Sequence, residues 1–518
     1  MTFTTNRRSL LLGVGAVGAA ASLGLWGRPA LAQSAPSKGG TCRIAIADFN
    51  SAETLDPQVN ESRFMTVLQY QLRNSLVELG PGGVLVPELA TEWNGNDDST
   101  IWTFKLREGV EFHNGKTLTA DDVVWSLNLH RGEASISMVK SLMEQVIDVK
   151  ATAPLEVTVT LAGPNAGFPA LMSLFNVLIV QAEDANLDAG IGTGGYVLEH
   201  YEPGVGSKVT RHPNYWKEGR AHFDAVELLA IADVNARTTA LQTGQIDAMN
   251  AVDSTTADLL KAMPNISLLQ TQGKVHYAFS MNCAEAPFTD PDVRMAMKLA
   301  IDRQEMLDKI LNGYGSIAND QPISSAYLYH NTELEQHVYD PDKARALFKK
   351  AGMEGATVPL HVADSPFTGA TNMAQLYAAQ AEKAGITIEV KREPEDGYWS
   401  NIWGKKPMFA TRWSGRATED LMLSLAYSKE SIGDWNESSW DNAAFNTALV
   451  AARGEKDEAK RKALYWECQS LISTDGGMVA PIWADFLNAT SDKVMHDEIA
   501  NDWDLDGGRC SERWWFSA

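Results

Sequence analysis

The sequence predicts an α/β protein, and two features carry that prediction. After Asn282, helical stretches that end on glycine alternate with short β-rich runs. Before it, strictly alternating apolar runs are joined by tight turns, which adds antiparallel sheet to the plan. Taken in order, TCRIAIA (41–47) alternates and stops at Asp48, a short strand entering a loop. In WTFKLREGVEF (102–112), Trp102, Phe104 and Leu106 share one face, and Asn114-Gly115 supplies the following turn. Thr119 and Asp122 form a capping-box pair, so a helix begins there. LEVTVTL (155–161), two alternating runs within 191–216, and AVELLAI (225–231) read as strands. Residues 236–249 read as a helix, a stop at Gly244 and a return strand, and VHYAFSMN (275–282) is again a strand. Asp290-Pro291 starts a helix carrying Val293, Met297, Ala300 and Ile301 and reaching Gly313. Asp340-Pro341 starts another, ending at Gly352. VPLHVA, TNMAQLYAAQAEKAG and ITIEV then continue as strand, helix and strand.

The 518 residues are about three domains' worth. Charged residues are 21% and hydrophobic residues 44%, an ordinary globular balance that excludes wholesale disorder. The net charge of −22 argues against nucleic acid and against an anionic membrane surface as partners. Residues 1–32 are set apart. Arg7-Arg8 precede an apolar stretch rich in Gly and Ala, and Ala30-Leu31-Ala32 offers small residues for cleavage after Ala32. This resembles a twin-arginine export signal, so the expectation is a periplasmic protein with its signal removed. Leu10 to Gly27 sits at the lower limit for a membrane span, and its small residues favour a signal over an anchor. Cys42 follows Gly39-Gly40-Thr41, which lacks the apolar lead of a lipidation site. The four cysteines, Cys42, Cys283, Cys468 and Cys510, allow one or two disulfides without fixing a pairing.

Catalytic motifs are weak. Gly13-Gly15-Gly18 falls in the signal, and Gly190-Gly192-Gly195 precedes a strand where phosphate binding needs a helix start. Asp502, Asp504, Asp506 and Gly507 imitate a calcium loop, but Arg513 stands where a bidentate glutamate belongs, so they read as a solvated acidic turn. His212 and His222 suit core or surface roles better than a metal site, and no cofactor or metal ion is expected. Glu419-Asp420 is an adjacent acid pair that an exported carbohydrate-active hydrolase can use, the alternative to a binding role.

Six collinear strings resemble the family 5 extracellular solute-binding proteins of ABC importers, the dipeptide, oligopeptide and nickel type. They are TLDPQ (54–58), LVPELATEW (85–93), WTFKLREGVEFHNGKTLTADDVVWSL (102–127), GTGGYVL (192–198), MNCAEAPFTDPDVRMAMKLAIDR (281–303) and YDPDKARALFKKAG (339–352). The resemblance implies a type II periplasmic binding protein-like fold of two lobes, a hinge and an extra domain. It places lobe I at 33–60, 187–274 and 483–518, the extra domain II at 61–186, and lobe III at 275–482. Hinge strands fall near Val275–Asn282 and Met478–Ala484. It implies no enzyme activity but capture of a small solute between closing lobes by a monomer, and delivery to inner-membrane permease subunits. A receptor that reports to a sensor has the same residues.

The family's specificity loop follows a Trp-x-Gly string. Here it reads TRWSGRATEDLMLS (411–424): Trp413 and Gly415 match, Asp-Pro-Asp is replaced by Thr418-Glu419-Asp420, and Arg416 is added. The resemblance makes Glu419 or Asp420 the partner of a ligand amine, and Arg416 suits a carboxylate or phosphate. Ten of the 15 tryptophans lie from Trp399 onward. Trp399, Trp403, Trp413, Trp435 and Trp440 fall in polar, loop-like segments, and with Tyr398 they are expected at the cleft. Trp466, Trp483, Trp514 and Trp515 are expected in the core. A peptide or amino-acid conjugate satisfies both charges of the loop.

Overall fold

The computed structural model describes residues 36–184 and 186–517. The export-signal reading of residues 1–32 lies outside the described residues. Among the described residues, the principal sheet has eleven strands. Its order runs Thr387–Arg392, Thr357–Val362, Met408–Trp413, Ile266–Met281, Met478–Ser491, Ala248–Met249, Thr41–Ile46, Ala225–Ala230, Gly206–Arg211 and Tyr196–Glu202, with Gly315–Ile317 branching from Met478–Ser491. A separate four-stranded antiparallel sheet joins Ala90–Gly95, Ile101–Leu106, Glu156–Leu161 and Val146–Ala153.

The packing follows the sequence pattern closely. Trp102, Phe104 and Leu106 are buried on one face, with Val157 and Val159 from the neighbouring strand. Both halves of the capping box form ahead of helix Ala120–Leu129. Asp290 and Asp340 each accept a backbone N–H at the start of a proline-led helix. The helix expected to run to Gly313 is two helices, Pro291–Leu299 and Arg303–Ile310. Asp302 breaks it, because its carboxylate accepts the N–H of Glu305 at 3.1 Å and so caps a second start.

Three large apolar clusters hold the molecule. One gathers Ile44, Ile46, Val226, Leu228 and Trp514. Helix Arg63–Leu72 packs Phe64, Met65 and Leu68 into this same cluster, although the sequence counts residues from 61 onward with the extra domain. The second fills the four-stranded sheet. The third gathers Phe279, Met297, Leu360, Tyr377 and Ile482. The strands Ile266–Met281 and Met478–Ser491 are the longest, and they serve two cores: Phe279 and Val479 point into the third cluster, whereas Leu268 and Ala489 pack with Ala45 and Met249. They pair antiparallel, with an irregularity between Thr271 and Val275. Gly273 sits in that irregularity, where a Cβ would meet the Ala484 carbonyl, so the backbones approach there only because the residue is glycine.

All four cysteines are free thiols, so neither disulfide that the sequence allows is formed. One side-chain expectation is overturned: the acidic turn is not solvated, because Asp504 and Asp506 are buried. Asp506 sits at φ +61°, held there by Ala500 N–H at 2.8 Å, Trp514 Nε1–H at 3.0 Å and Arg513 Nη1 at 2.7 Å. Arg513, which spoils the calcium reading, is the partner that neutralises it.

Candidate functional site

A cleft of about 1260 Å³ opens beside the two long strands. That exceeds the about 300–1,000 Å³ usual for drug-sized ligands, so the space suits a solute larger than one amino acid. Its walls include Asp48 and Arg63 on one side, Tyr277, Asp485 and Phe486 on the long strands, and Arg412, Arg416 and Trp435 on the other side.

The specificity loop is built from the strand Met408–Trp413, in which Arg412 is the one exposed residue. Arg412 stands in register with Tyr277. The Tyr277 ring stacks on Phe367 with centroids 4.0 Å apart and planes within 4°. The chain then turns through residues 414–418, and Thr418 caps helix Glu419–Tyr427. Three contacts pin the turn. Tyr327 Oη accepts the N–H of Arg416 at 2.8 Å. Lys274 Nζ reaches the carbonyls of Arg416 and Ala417 at 3.5 and 3.4 Å and lies 4.4 Å from the Tyr327 ring centre. A Cβ on Gly415 would collide with the Lys274 side chain, so the turn lies flat on the strand because that residue is glycine. Arg416 Nη1 donates only within its own turn, to Ser414 O and Gly415 O at 3.1 and 3.2 Å, and the guanidinium lies 5.4 Å from the Trp413 ring. Burial pushes the Arg416 guanidinium and the Lys274 ammonium below their ordinary values. A water-sized recess of about 10 Å³ behind Arg416 is lined by Tyr70, Phe175, Asp502 and Trp503.

Of the residues that the sequence nominates, Arg416 and Trp435 line the cleft. The others do not, and each has a reason. Trp413 is 4% exposed and packs with Ala278, Tyr327 and Met422, so it supports Arg416 from below instead of forming a wall. Tyr398 is buried and donates its hydroxyl to Ala410 O at 2.8 Å. Trp399 is exposed, but on the outer end of an edge-to-face row that runs through Trp403 and Trp435 to Trp413. Trp440 is buried and donates to Asp475 at 2.8 Å. Glu419 and Asp420 are buried and spent on the fold. Glu419 accepts the N–H of Tyr329 at 2.6 Å, and Asp420 accepts from Arg453 at 3.2 Å. They are therefore neither an acid pair facing substrate nor a pairing partner for Arg416. Trp483, Trp514 and Trp515 are core as expected, whereas Trp466 is half-buried with its indole N–H on His330 O.

The residues that the sequence did not nominate are Arg412, Tyr277, Asp485, Arg63 and Trp503. Arg412 left a signal: a lone charge inside a strand that is otherwise uncharged and mostly apolar. Arg63 lies 3.8 Å from the Trp503 ring centre and 3.7 Å from Asp504. Among the described residues, no group of three or more His, Cys, Asp or Glu is placed to hold a metal ion.

The family model for bacterial extracellular solute-binding proteins, family 5, middle region, matches residues 84–434. The chain belongs to this family. Heme-binding protein A of Haemophilus influenzae is 28% identical over 447 residues, covering 78% of this chain and 80% of that one. Glutathione-binding protein GsiB of Pectobacterium atrosepticum is 25% identical over 512 residues, covering 95% and 96%. The solved structure of HbpA2 from Haemophilus parasuis superposes with a TM-score of 0.81 at 21% identity, over 92% of this chain and all of that one. The family 5 fold is therefore the multi-domain type II binding-protein architecture expected from the six strings. Among the described residues, no helix is long and apolar enough to cross a membrane.

Proposed function

We propose that this protein is the periplasmic, monomeric receptor of an ABC import system, exported by the twin-arginine-type signal cleaved after Ala32. It encloses a peptide or amino-acid conjugate between lobe I, with the extra domain, and lobe III, and it hands the solute to permease subunits in the inner membrane. The observation that carries this reading is the cleft: a space of about 1260 Å³ whose walls set guanidinium groups, carboxylates and aromatic rings against one another. A solute with both an amine and a carboxylate matches that mixture. Because Glu419 and Asp420 are engaged elsewhere, the amine partner is Asp485, a half-buried carboxylate on the cleft floor that also accepts from Gln270 at 2.7 Å. Heme-binding and glutathione-binding relatives support a solute of this size that carries carboxylates.

The test is a thermal-shift and calorimetric screen of peptides, amino-acid conjugates, oligosaccharides and nickel chelates against the purified chain. A true ligand at about 100 times its Kd adds roughly 2.7 kcal/mol to stability and is recovered unchanged. Asp485→Asn should weaken a ligand with a free amine and leave its N-acetylated form unaffected. A hydrolysis product from any stabilising ligand, or stabilisation by sugars alone, sinks the proposal.

A further inference from the structure

The chain has a large excess of acid, yet four cations gather in and beneath the cleft. Arg412 and Arg416 line it, Arg63 lies across from them, and Lys274 underlies the turn that carries Arg416. Gathering like charges is costly unless something opposite compensates. Arg63 has its compensation in Asp504 at 3.7 Å and in the Trp503 ring. Lys274 has two carbonyls and the Tyr327 ring, with Asp502 and Glu419 near enough to ease its charge.

Arg412 and Arg416 have no such partner. Among the described residues, neither forms an ion pair. Arg416 donates only to carbonyls of its own turn, and Arg412 projects from a buried strand into the open cleft. Nearby acids turn elsewhere: Asp420 to Arg453, Glu419 to the Tyr329 N–H and Asp48 to the N–H of Arg63, while Asp485, bonded to Gln270, forms no ion pair among the described residues. Burial lowers the Arg63 guanidinium, Asp504 and Asp48 oppose that, and the charge of Arg412 adds a smaller lowering. The surfaces beside the two free guanidiniums are flat and aromatic: the Tyr277–Phe367 stack next to Arg412, and Trp435 near Arg416.

We propose that Arg412 and Arg416 are a two-pronged anion site, so that the solute carries two carboxylates, one for each guanidinium. Arginine presents a planar fork that matches a carboxylate with two parallel hydrogen bonds. The inference rests on the receptor reading above and narrows its substrate class from peptides in general to dicarboxylates.

The probes are glutathione, which has two carboxylates; glutathione diethyl ester, which has none free; and the dipeptide Met-Leu, which has one. Calorimetry at low and at raised salt should show glutathione binding at least tenfold more tightly than Met-Leu, at least a hundredfold more tightly than the diester, and with an affinity that falls as salt rises. Arg412→Ala and Arg416→Ala should each cost glutathione at least tenfold and bring it level with Met-Leu. Arg416→Lys, which keeps the charge without the fork, should fall between parent and alanine. Melting temperatures of the unliganded variants should match the parent. If Met-Leu or the diester binds as tightly as glutathione, the two-anion assignment is wrong while the peptide-receptor reading stands. If none of the three probes and no other peptide or conjugate binds, both fall together.

Discussion

Two regions of this protein use the same side chains to opposite ends. Where the C-terminal segment meets the N-terminal half, Glu78, Glu88 and Glu512 are buried against Arg509, Arg513 and Lys217. Arg509 grips Glu88 with both of its terminal nitrogens at 2.7 and 2.9 Å, and its guanidinium lies 4.0 Å from the Tyr70 ring. Arg513 bridges Glu78 and Asp506, each at 2.7 Å. Burial pushes the Glu78 and Glu88 carboxyls up, but the surrounding cations win and hold both below the usual carboxylate range. In the cleft, Arg412 and Arg416 stand without a carboxylate. The difference teaches how to separate scaffold from site in a charged protein: a balanced cluster belongs to the fold, and an unbalanced one awaits a ligand.

The largest expected effect breaks the balanced cluster. Arg509→Ala leaves Glu88 buried without its bidentate partner. Removing one member of a buried pair typically costs about 3–5 kcal/mol, because the remaining charge is uncompensated. Urea unfolding should show that loss at neutral pH, while the affinity of the folded fraction for any cleft ligand stays close to the parent's. A loss below about 1 kcal/mol means that the network is not what ties the C-terminal segment down.

A second variant tests the comparison from the acid side, because Glu437 is a buried acid that forms no ion pair among the described residues. Burial pushes its carboxyl up to about 7, against hydrogen bonds from Thr411 Oγ1 at 2.9 Å and from the Trp403 indole N–H. An unfolded glutamate titrates near about 4.3. The folded state therefore holds the proton more tightly. The stability this confers is full below about pH 4.3 and is lost as pH rises toward about 7. The whole effect is of the order of 3 kcal/mol. Glu437→Gln should remove that slope, so the variant gains on the parent between pH 5 and pH 8 in denaturant melts. Parallel curves for parent and variant would show that Glu437 is already ionised at pH 5. Because Trp403 donates to this carboxyl and packs edge-to-face on Trp435, tryptophan emission should follow the same pH window in the parent alone.

Most of the fold was legible because it is written in local signals. The capping box at Thr119 and Asp122, the proline starts at Asp290 and Asp340 and the alternation of Trp102, Phe104 and Leu106 need no distant partner to be read. Asp302 shows the limit: an aspartate inside an apolar period is invisible as a cap until the chain turns there. The site was less legible, since side-chain direction and partner choice are tertiary facts. Arg416 stands out because it departs from a familiar string, and it lines the cleft. Glu419 and Asp420 were misplaced because nothing in their neighbourhood announces Tyr329 or Arg453, each more than thirty residues away. Trp413 was placed one layer too high for the same reason: its strand alternates, but both faces of that strand are covered, and only Arg412 escapes. The buried ion network was missed altogether, because Glu78 and Arg513 are joined only by the fold.

The smallest expected effect sharpens the comparison most. If Arg412 belongs to an unbalanced cluster, its removal costs the unliganded protein nothing. It forms no ion pair among the described residues and lies on the exposed side of its strand, so Arg412→Ala gives up no buried partner. It also removes a minor repulsion on Arg63, whose guanidinium is depressed by burial, raised by Asp504 and Asp48, and lowered to a smaller extent by Arg412. Surface substitutions of this kind fall within about 0.5 kcal/mol of the parent, and here the sign should be neutral or slightly stabilising. Urea unfolding without ligand, run beside Arg509→Ala, reads the contrast directly: a midpoint unmoved or raised for Arg412→Ala, and sharply lowered for Arg509→Ala. Added salt should erase any gain at Arg412, because the relieved repulsion is partly open to solvent and is screened over about 10 Å at 0.1 M ionic strength. A loss of 1 kcal/mol or more in the unliganded Arg412→Ala protein would mean that Arg412 holds the fold together, and the division between balanced scaffold and unbalanced site would no longer apply to this cleft.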